Sequence, residues 1–176
     1  FVADWEAKKV FVLSLQGKLK RQFVPTNIKT VNFKPLALAN YKQKLFVAGS
    51  NSVIIIQPGR LPKQLKLKPL LKLNYPAGLA VNQKNGHIYI ADTLNRRLIA
   101  ATATGRLRWV LGSATVAPEK SFFALPRAVA LDKKGYLYVV DTFNHQLVVL
   151  NEAGRLITVF GQEGTKAGEF SFPEEV

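Results

Sequence analysis

The chain has 176 residues, enough for one domain that buries about two-thirds of its unfolded surface, and 48% of them are hydrophobic. It has no cysteine, which excludes disulfides, thiolate zinc sites and cysteine catalysis, and no apolar run approaches the ~20 residues that a membrane-spanning helix needs. Its 25 basic and 11 acidic residues leave a net charge of +14, a field that attracts anionic partners such as nucleic acid, acidic polymers, anionic lipid or acidic proteins.

Short apolar runs rich in Val, Ile, Leu, Tyr and Phe fill the chain, separated by Gly, Asn, Asp and Lys clusters, and none keeps helical spacing. The opening stretch, FVADWEAKKVFVLSLQGKLKRQF, reads as a strand ending at Asp4, a second around Val10, a turn at Gly17 and a lysine-rich outer run. FKPLALANYKQK follows with Pro35, then LFVAGSNSVIIIQPGRLPKQL, where Gly49 takes the place of the aspartate and the turn is two residues shorter. YPAGLAVNQKNG, with Pro76, leads into GHIYIADTLNRRLIAATATGRL, and ALPRAVALDKKG, with Pro126, leads into GYLYVVDTFNHQLVVLNEAGRL. The C-terminal FSFPEEV places Pro173 in the same register.

These segments repeat. Asp92 and Asp141 are 49 residues apart, and Pro35, Pro76, Pro126 and Pro173 follow at intervals of 41, 50 and 47. In the last copy the runs Ala128–Asp132, Leu137–Val140, Gln146–Asn151 and Leu156–Phe160 are joined by links short enough to make neighbours antiparallel. Four antiparallel strands in a unit of about 40–50 residues make the blade of a β-propeller, an all-β fold. The expected blades are 1–34, 35–75, 76–125 and 126–172, with 173–176 starting a further inner strand. The innermost runs, apolar on both faces, should be buried on both sides. The outer runs alternate, as in Leu65-Lys66-Leu67-Lys68, Leu19-Lys20-Arg21 and Leu107-Arg108-Trp109, and lysine on an open edge opposes pairing with another chain.

At YIADTLNRRL and YVVDTFNHQL the chain resembles the NHL-repeat family of β-propellers, whose hallmark is Asp-Thr-x-Asn-His/Arg between a tyrosine-rich strand and the next apolar strand. The resemblance implies a propeller, commonly of six blades, that acts mostly as a rigid recognition platform. About four blades are present here, so the ring expected is a larger one of which this chain is part; a small closed ring of four is the alternative. Propellers of this kind often lie outside the cytoplasm, so the resemblance leans toward a secreted or cell-surface setting, while the residues themselves leave the compartment open.

Asp4, Asp92 and Asp141 end strands before tight loops, where a carboxylate accepts backbone N–H groups, and Asn95 and Asn144 add similar bonds and tolerate left-handed backbone. Metal ligation is the competing reading, but Asp92 and Asp141 each stand without a second carboxylate nearby. The two histidines, His87 and His145, occupy different positions of neighbouring blades and supply no zinc set, and no Gly-x-Ser-x-Gly elbow is present. No catalytic residue, metal or cofactor is therefore assigned. Side chains two and four residues after each aspartate should point outward on the face that also carries the links between blades: Glu6 and Lys8, Leu94 and Arg96, Phe143 and His145. With the adjacent Trp5, the candidate binding rim is Trp5, Lys8, Leu94, Arg96, Phe143 and His145. Phe122 and Phe123, in the longer link before Pro126, either join that face or plug the seam between blades. The leading expectation is a non-enzymatic platform for a protein partner, acidic given the charge. Binding of single-stranded RNA or another polyanion is the alternative, and a propeller lyase or hydrolase the third reading.

Overall fold

The computed structural model describes residues 1–24, 33–67, 71–113 and 121–176. Parts of two expected features, the link at 114–120 and Lys68 of the alternating outer run, lie outside the described residues. The first sheet is β1 (Val2–Asp4), β2 (Lys9–Leu13) and β3 (Leu19–Phe23); the second is β4 (Pro35–Tyr41), β5 (Lys44–Gly49), β6 (Ser52–Ile56) and β7 (Lys63–Gln64). The third is β8 (Pro76–Val81), β9 (Ile88–Asp92), β10 (Arg97–Ala101) and β11 (Leu107–Gly112), and the fourth β12 (Pro126–Leu131), β13 (Leu137–Asp141), β14 (Gln146–Leu150) and β15 (Leu156–Phe160). Every pairing among these strands is antiparallel and joins strands consecutive in sequence. The sheets meet most closely along β4, β8 and β12, and β1, β5 and β9 each lean on the first strand of the next sheet, so the stack converges on its inner edges as propeller blades do.

Strand periodicity explains the stack. Along β9, Ile88 and Ile90 pack against the second sheet while Tyr89 and Ala91 pack against the fourth; along β10, Ile99 and Ala101 take one side, Leu98 and Ala100 the other. The second sheet divides likewise, with Phe46, Ala48, Val53 and Ile55 facing the third sheet and Leu45, Val47, Ile54 and Ile56 facing Val10 of the first. Residues apolar at both odd and even positions are what a sheet covered on both faces requires.

In the second and fourth sheets burial is deepest in the second and third strands rather than in the innermost ones, contrary to expectation. The inner β8, flanked by β4 and β12, is buried almost throughout, but β4 is half-buried from Leu36 to Ala39 and β12 opens at Ala130 and Leu131, because an inner strand has a neighbouring sheet on each side only in the middle of the stack. Outer strands are open, as the lysine pattern predicts: β3 and β15 are mostly exposed, and beyond β7 Leu65 and Leu67 are buried while Lys66 is exposed. On the fourth sheet Leu156, Ile157 and Phe160 remain about half exposed.

One distortion recurs. The register shifts just after each leading proline, between Pro35 and Ala37, Pro76 and Gly78, and Pro126 and Ala128. Proline cannot donate to the ladder, so it is confined to the first residue of a strand, and the bulge beside it bends the inner strand as it enters the sheet.

Candidate binding faces

The loop between the second and third strands is built around a buried aspartate. Asp92 is fully buried; its Oδ1 accepts the Asn74 N–H at 2.7 Å, and its Oδ2 accepts Asn95 Nδ2 at 2.8 Å and Arg97 Nε at 2.7 Å. Asp141 repeats this with Oδ1 accepting the Leu125 N–H at 2.7 Å and the Ala124 N–H at 3.1 Å, and Oδ2 accepting Asn144 Nδ2 at 2.7 Å. Gln146 stands in the place of Arg97, at 3.4 Å, so among the described residues no cation pairs with Asp141. Burial raises the Asp141 carboxyl above the usual carboxylate range, against hydrogen bonds that work to lower it. In both loops the carboxylate tethers the segment that leads into its own sheet. Asp4, in the first sheet, accepts a local bond, from the Ala7 N–H at 2.7 Å.

The threonine after the aspartate faces the other way. Thr93 Oγ1 donates to the Pro126 carbonyl at 2.7 Å, and Thr142 Oγ1 to the Pro173 carbonyl at 2.8 Å. Asp-Thr is thus a two-sided clamp: the aspartate holds its own sheet's leading segment and the threonine the next one. Pro173 therefore stands to the fourth sheet as Pro126 stands to the third, matching its place in the sequence register. Left-handed backbone falls one residue later than expected. It is Lys8 (φ 55°), Arg96 (φ 48°) and His145 (φ 51°) that adopt it, while Asn95 and Asn144 stay in a short 3-10 turn and spend their side chains on the aspartate.

The rim residues divide. Leu94 and Phe143 are 51% and 59% exposed and stand on the face carrying the links between sheets. Trp5 is half-buried, edge-on to Tyr75 at 5.8 Å and capped by Lys34 Nζ at 4.2 Å from its ring. Lys8 and Arg96 are half-buried, and both are engaged with neighbours. His145 does not point outward: it is buried, its Nδ1 accepts the Phe172 N–H at 3.2 Å and its ring lies 4.5 Å from that of Phe172. Phe172, 54% exposed and edge-on to Phe143 at 6.2 Å, joins the rim instead. It follows the fourth repeat, where reading two and four residues past an aspartate could not reach it. Phe123 is fully buried in the seam between the third and fourth sheets, and Phe122 lies edge-on to it, partly open.

At the opposite end the hairpins are strongly basic. Among the described residues there, acidic side chains are limited to Asp132 and Glu152, against Lys18, Lys42, Lys44, Arg60, Lys84 and others. Glu152 reaches across from the fourth sheet to the third, where it meets His87 Nδ1 at 2.9 Å and Asn82 Nδ2 at 3.3 Å, and Trp109 Nε1 donates to its carbonyl at 3.1 Å. Partial burial works to raise the Glu152 carboxyl, but hydrogen bonds from His87 and Asn85 outweigh it and hold it below the usual range. Burial and the Glu152 charge together push the Tyr89 phenol up, and its hydroxyl has no hydrogen-bond partner among the described residues. Among those residues no group of three or more His, Asp or Glu converges on one point.

A family model described as the NHL repeat matches residues 73–98, which run from the segment tethered by Asp92 to the start of β10. No curated protein matches the sequence. Among solved structures the chain is similar to one in a nidogen/laminin complex, at 20% identity over 93% of this chain and 57% of that one, with a TM-score of 0.70. It is similar to a virginiamycin B lyase from Staphylococcus aureus at 12% identity, covering 97% of this chain and 53% of that one, with a TM-score of 0.69. For a streptogramin B lyase the identity is 20%, the coverage 87% and 48%, and the TM-score 0.67. The chain thus spans between 48% and 57% of the length of these structures, and at such identities the likeness is one of fold. The repeat match lies across the aspartate clamp and the sheets converge as propeller blades do, so the chain is a β-propeller unit that carries an NHL-repeat match at residues 73–98.

Proposed function

We propose that this chain is a non-enzymatic binding module, part of a larger propeller, whose rim at the aspartate end docks a protein partner. The observation that carries the reading is the exposure of Leu94, Phe143 and Phe172 on loops whose backbones are pinned by buried carboxylates and threonines. Large apolar side chains held in water on a rigid frame lose little conformational entropy on docking, and aromatic anchors of this kind dominate interface energies. Half-buried Arg96 and Lys8, and Lys34 over Trp5, edge the rim with positive charge, which favours an acidic partner.

A lyase reading draws on two of the similar structures, but that likeness concerns the fold, and the one imidazole–carboxylate pair among the described residues, His87–Glu152, is spent bridging two sheets. An extracytoplasmic setting belongs to the same proposal and rests on the repeat resemblance alone.

The test is quantitative affinity capture with the chain and with a Leu94→Asp, Phe143→Asp variant. The expected result is a partner lost by the variant while its thermal unfolding is unchanged. A partner retained by the variant would place the contact elsewhere, and turnover of a small substrate without any retained protein would overturn the reading.

A further inference from the structure

A groove of about 530 Å³ opens between the first and second sheets at the hairpin end, away from the rim. Five cations line it: Lys20 and Arg21 from β3, Lys42 from the turn joining β4 to β5, Lys44 from the start of β5, and Arg60 from the turn after β6. Among the described residues no acidic one lines it, although the chain has 11. Lys42 is held in left-handed backbone at φ 52°, and its Nζ sits 5.2 Å from the centre of the Tyr41 ring. Like charges gathered this way repel one another and weaken the fold, and an anionic occupant relieves that repulsion.

The floor is apolar. Val12 and Phe23 of the first sheet and Leu45 and Ile56 of the second line it between the cations. Phe23 packs against the core between the two sheets, so its face is not free for stacking. Phe1 is the exposed ring at the groove, whereas a single strand of nucleic acid is held by stacking successive bases on successive rings. Cations around an aliphatic floor match a peptide that alternates carboxylates with aliphatic side chains.

We infer that this groove is a second binding site, taking an acidic, aliphatic-rich peptide segment of a partner protein. Its carboxylates pair with Lys20, Arg21, Lys42, Lys44 and Arg60, and its aliphatic side chains lie over half-buried Val12 and exposed Phe1, above the buried Leu45 and Ile56. The inference does not depend on the rim.

The probe is a fluorescein-labelled ten-residue peptide of alternating Glu and Leu, titrated with the chain by fluorescence anisotropy. Binding should weaken between 50 and 200 mM salt, as charge pairing at a surface does, and a Lys42→Glu, Lys44→Glu, Arg60→Glu variant should bind at least about ten-fold more weakly. A control of equal charge change, Lys63→Glu, Lys66→Glu, Lys166→Glu, at exposed positions outside the groove, should stay within about two-fold of the unmodified chain. Equal loss in the control would mean that the overall field attracts the peptide and would overturn the site. Undiminished binding of a Glu/Ser peptide would remove the apolar floor from the account, and tighter groove-dependent binding of oligouridine would replace the peptide with RNA. The Leu94→Asp, Phe143→Asp variant should bind the probe normally, so failure at the rim and failure at the groove are told apart.

Discussion

Replacing Asp92 with asparagine tests the clamp most directly. The change keeps the shape of the side chain but removes its charge and turns one acceptor oxygen into a donor. Asp92 has no solvent exposure and accepts three bonds of 2.7, 2.8 and 2.7 Å, one of them from the Arg97 guanidinium. Water cannot compensate at such a site, so Arg97 loses its counter-charge and the Asn74 N–H or the Asn95 amide faces another donor. Breaking a buried charge pair from one side costs about 3–5 kcal/mol, a large share of the roughly 5–15 kcal/mol that holds a domain together. With a urea slope of about 2 kcal/mol/M, the unfolding midpoint should fall by roughly 2 M. Trp109 reports the transition, since its ring lies 6.0 Å from Tyr89 and its Nε1 donates to Glu152 across the seam. In an Arg97→Gln background, which copies the Gln146 arrangement at Asp141, the same change should cost about 1–2 kcal/mol less, because contacting residues of one network do not add. A loss below about 1 kcal/mol, or full additivity in the double variant, would refute the claim that the carboxylate organises this loop.

The converse substitution, Gln146→Arg, should give Asp141 the cation it lacks, lower its raised carboxyl and stabilise the chain by about 1 kcal/mol at neutral pH, read from the urea midpoint. Thr93→Val leaves the Pro126 carbonyl without its donor and should cost about 1–3 kcal/mol in the same assay. Gly105→Ala combines a φ of +91° with a Cβ driven into the Lys66 carbonyl of the neighbouring sheet; Gly17, at φ +77°, has open space around it. The Gly17→Ala change should therefore cost about 1–2 kcal/mol, and Gly105→Ala some 1–3 kcal/mol more, by differential unfolding. Acid should weaken the seam between the third and fourth sheets through Glu152: its carboxyl is lowered in the fold, so its contribution is present above the unfolded value near 4.3 and lost as pH falls through the folded one. Asp141, raised by burial, acts in the opposite sense and favours the fold as pH falls through its folded value. Glu152→Gln should accordingly flatten the acid limb of stability against pH, and an unchanged limb would remove Glu152 from the seam.

Much of the architecture was legible in the chain because a propeller blade is a local object. Its strands pair with sequence neighbours, so apolar runs, turn glycines and the recurring Pro and Asp-Thr-x-Asn positions locate β12 to β15 to within two residues. The repeat also placed Asp92 and Asp141 at loops that need a buried acceptor. The partners of those carboxylates were not legible, because Asn74 and Leu125 supply backbone N–H groups that any residue but proline would provide. The threonine clamp is visible as a recurring Thr, but its meaning lies in carbonyls 33 and 31 residues away. The rim was half legible for the same reason. Counting from the aspartate located Leu94 and Phe143, which the loop alone exposes, but His145 is covered by Phe172, a residue brought there by the chain's return past the fourth sheet.

The groove between the first two sheets was beyond the sequence altogether. Lys20, Lys42 and Arg60 belong to separate hairpins, and the +14 charge says nothing of where they gather. Pairing within a sheet follows from short-range pattern, and the sequence by itself determined that. The neighbours across a seam depend on how one finished sheet seats on the next, a matter of side-chain shape at long separation, and only the tertiary structure decided it.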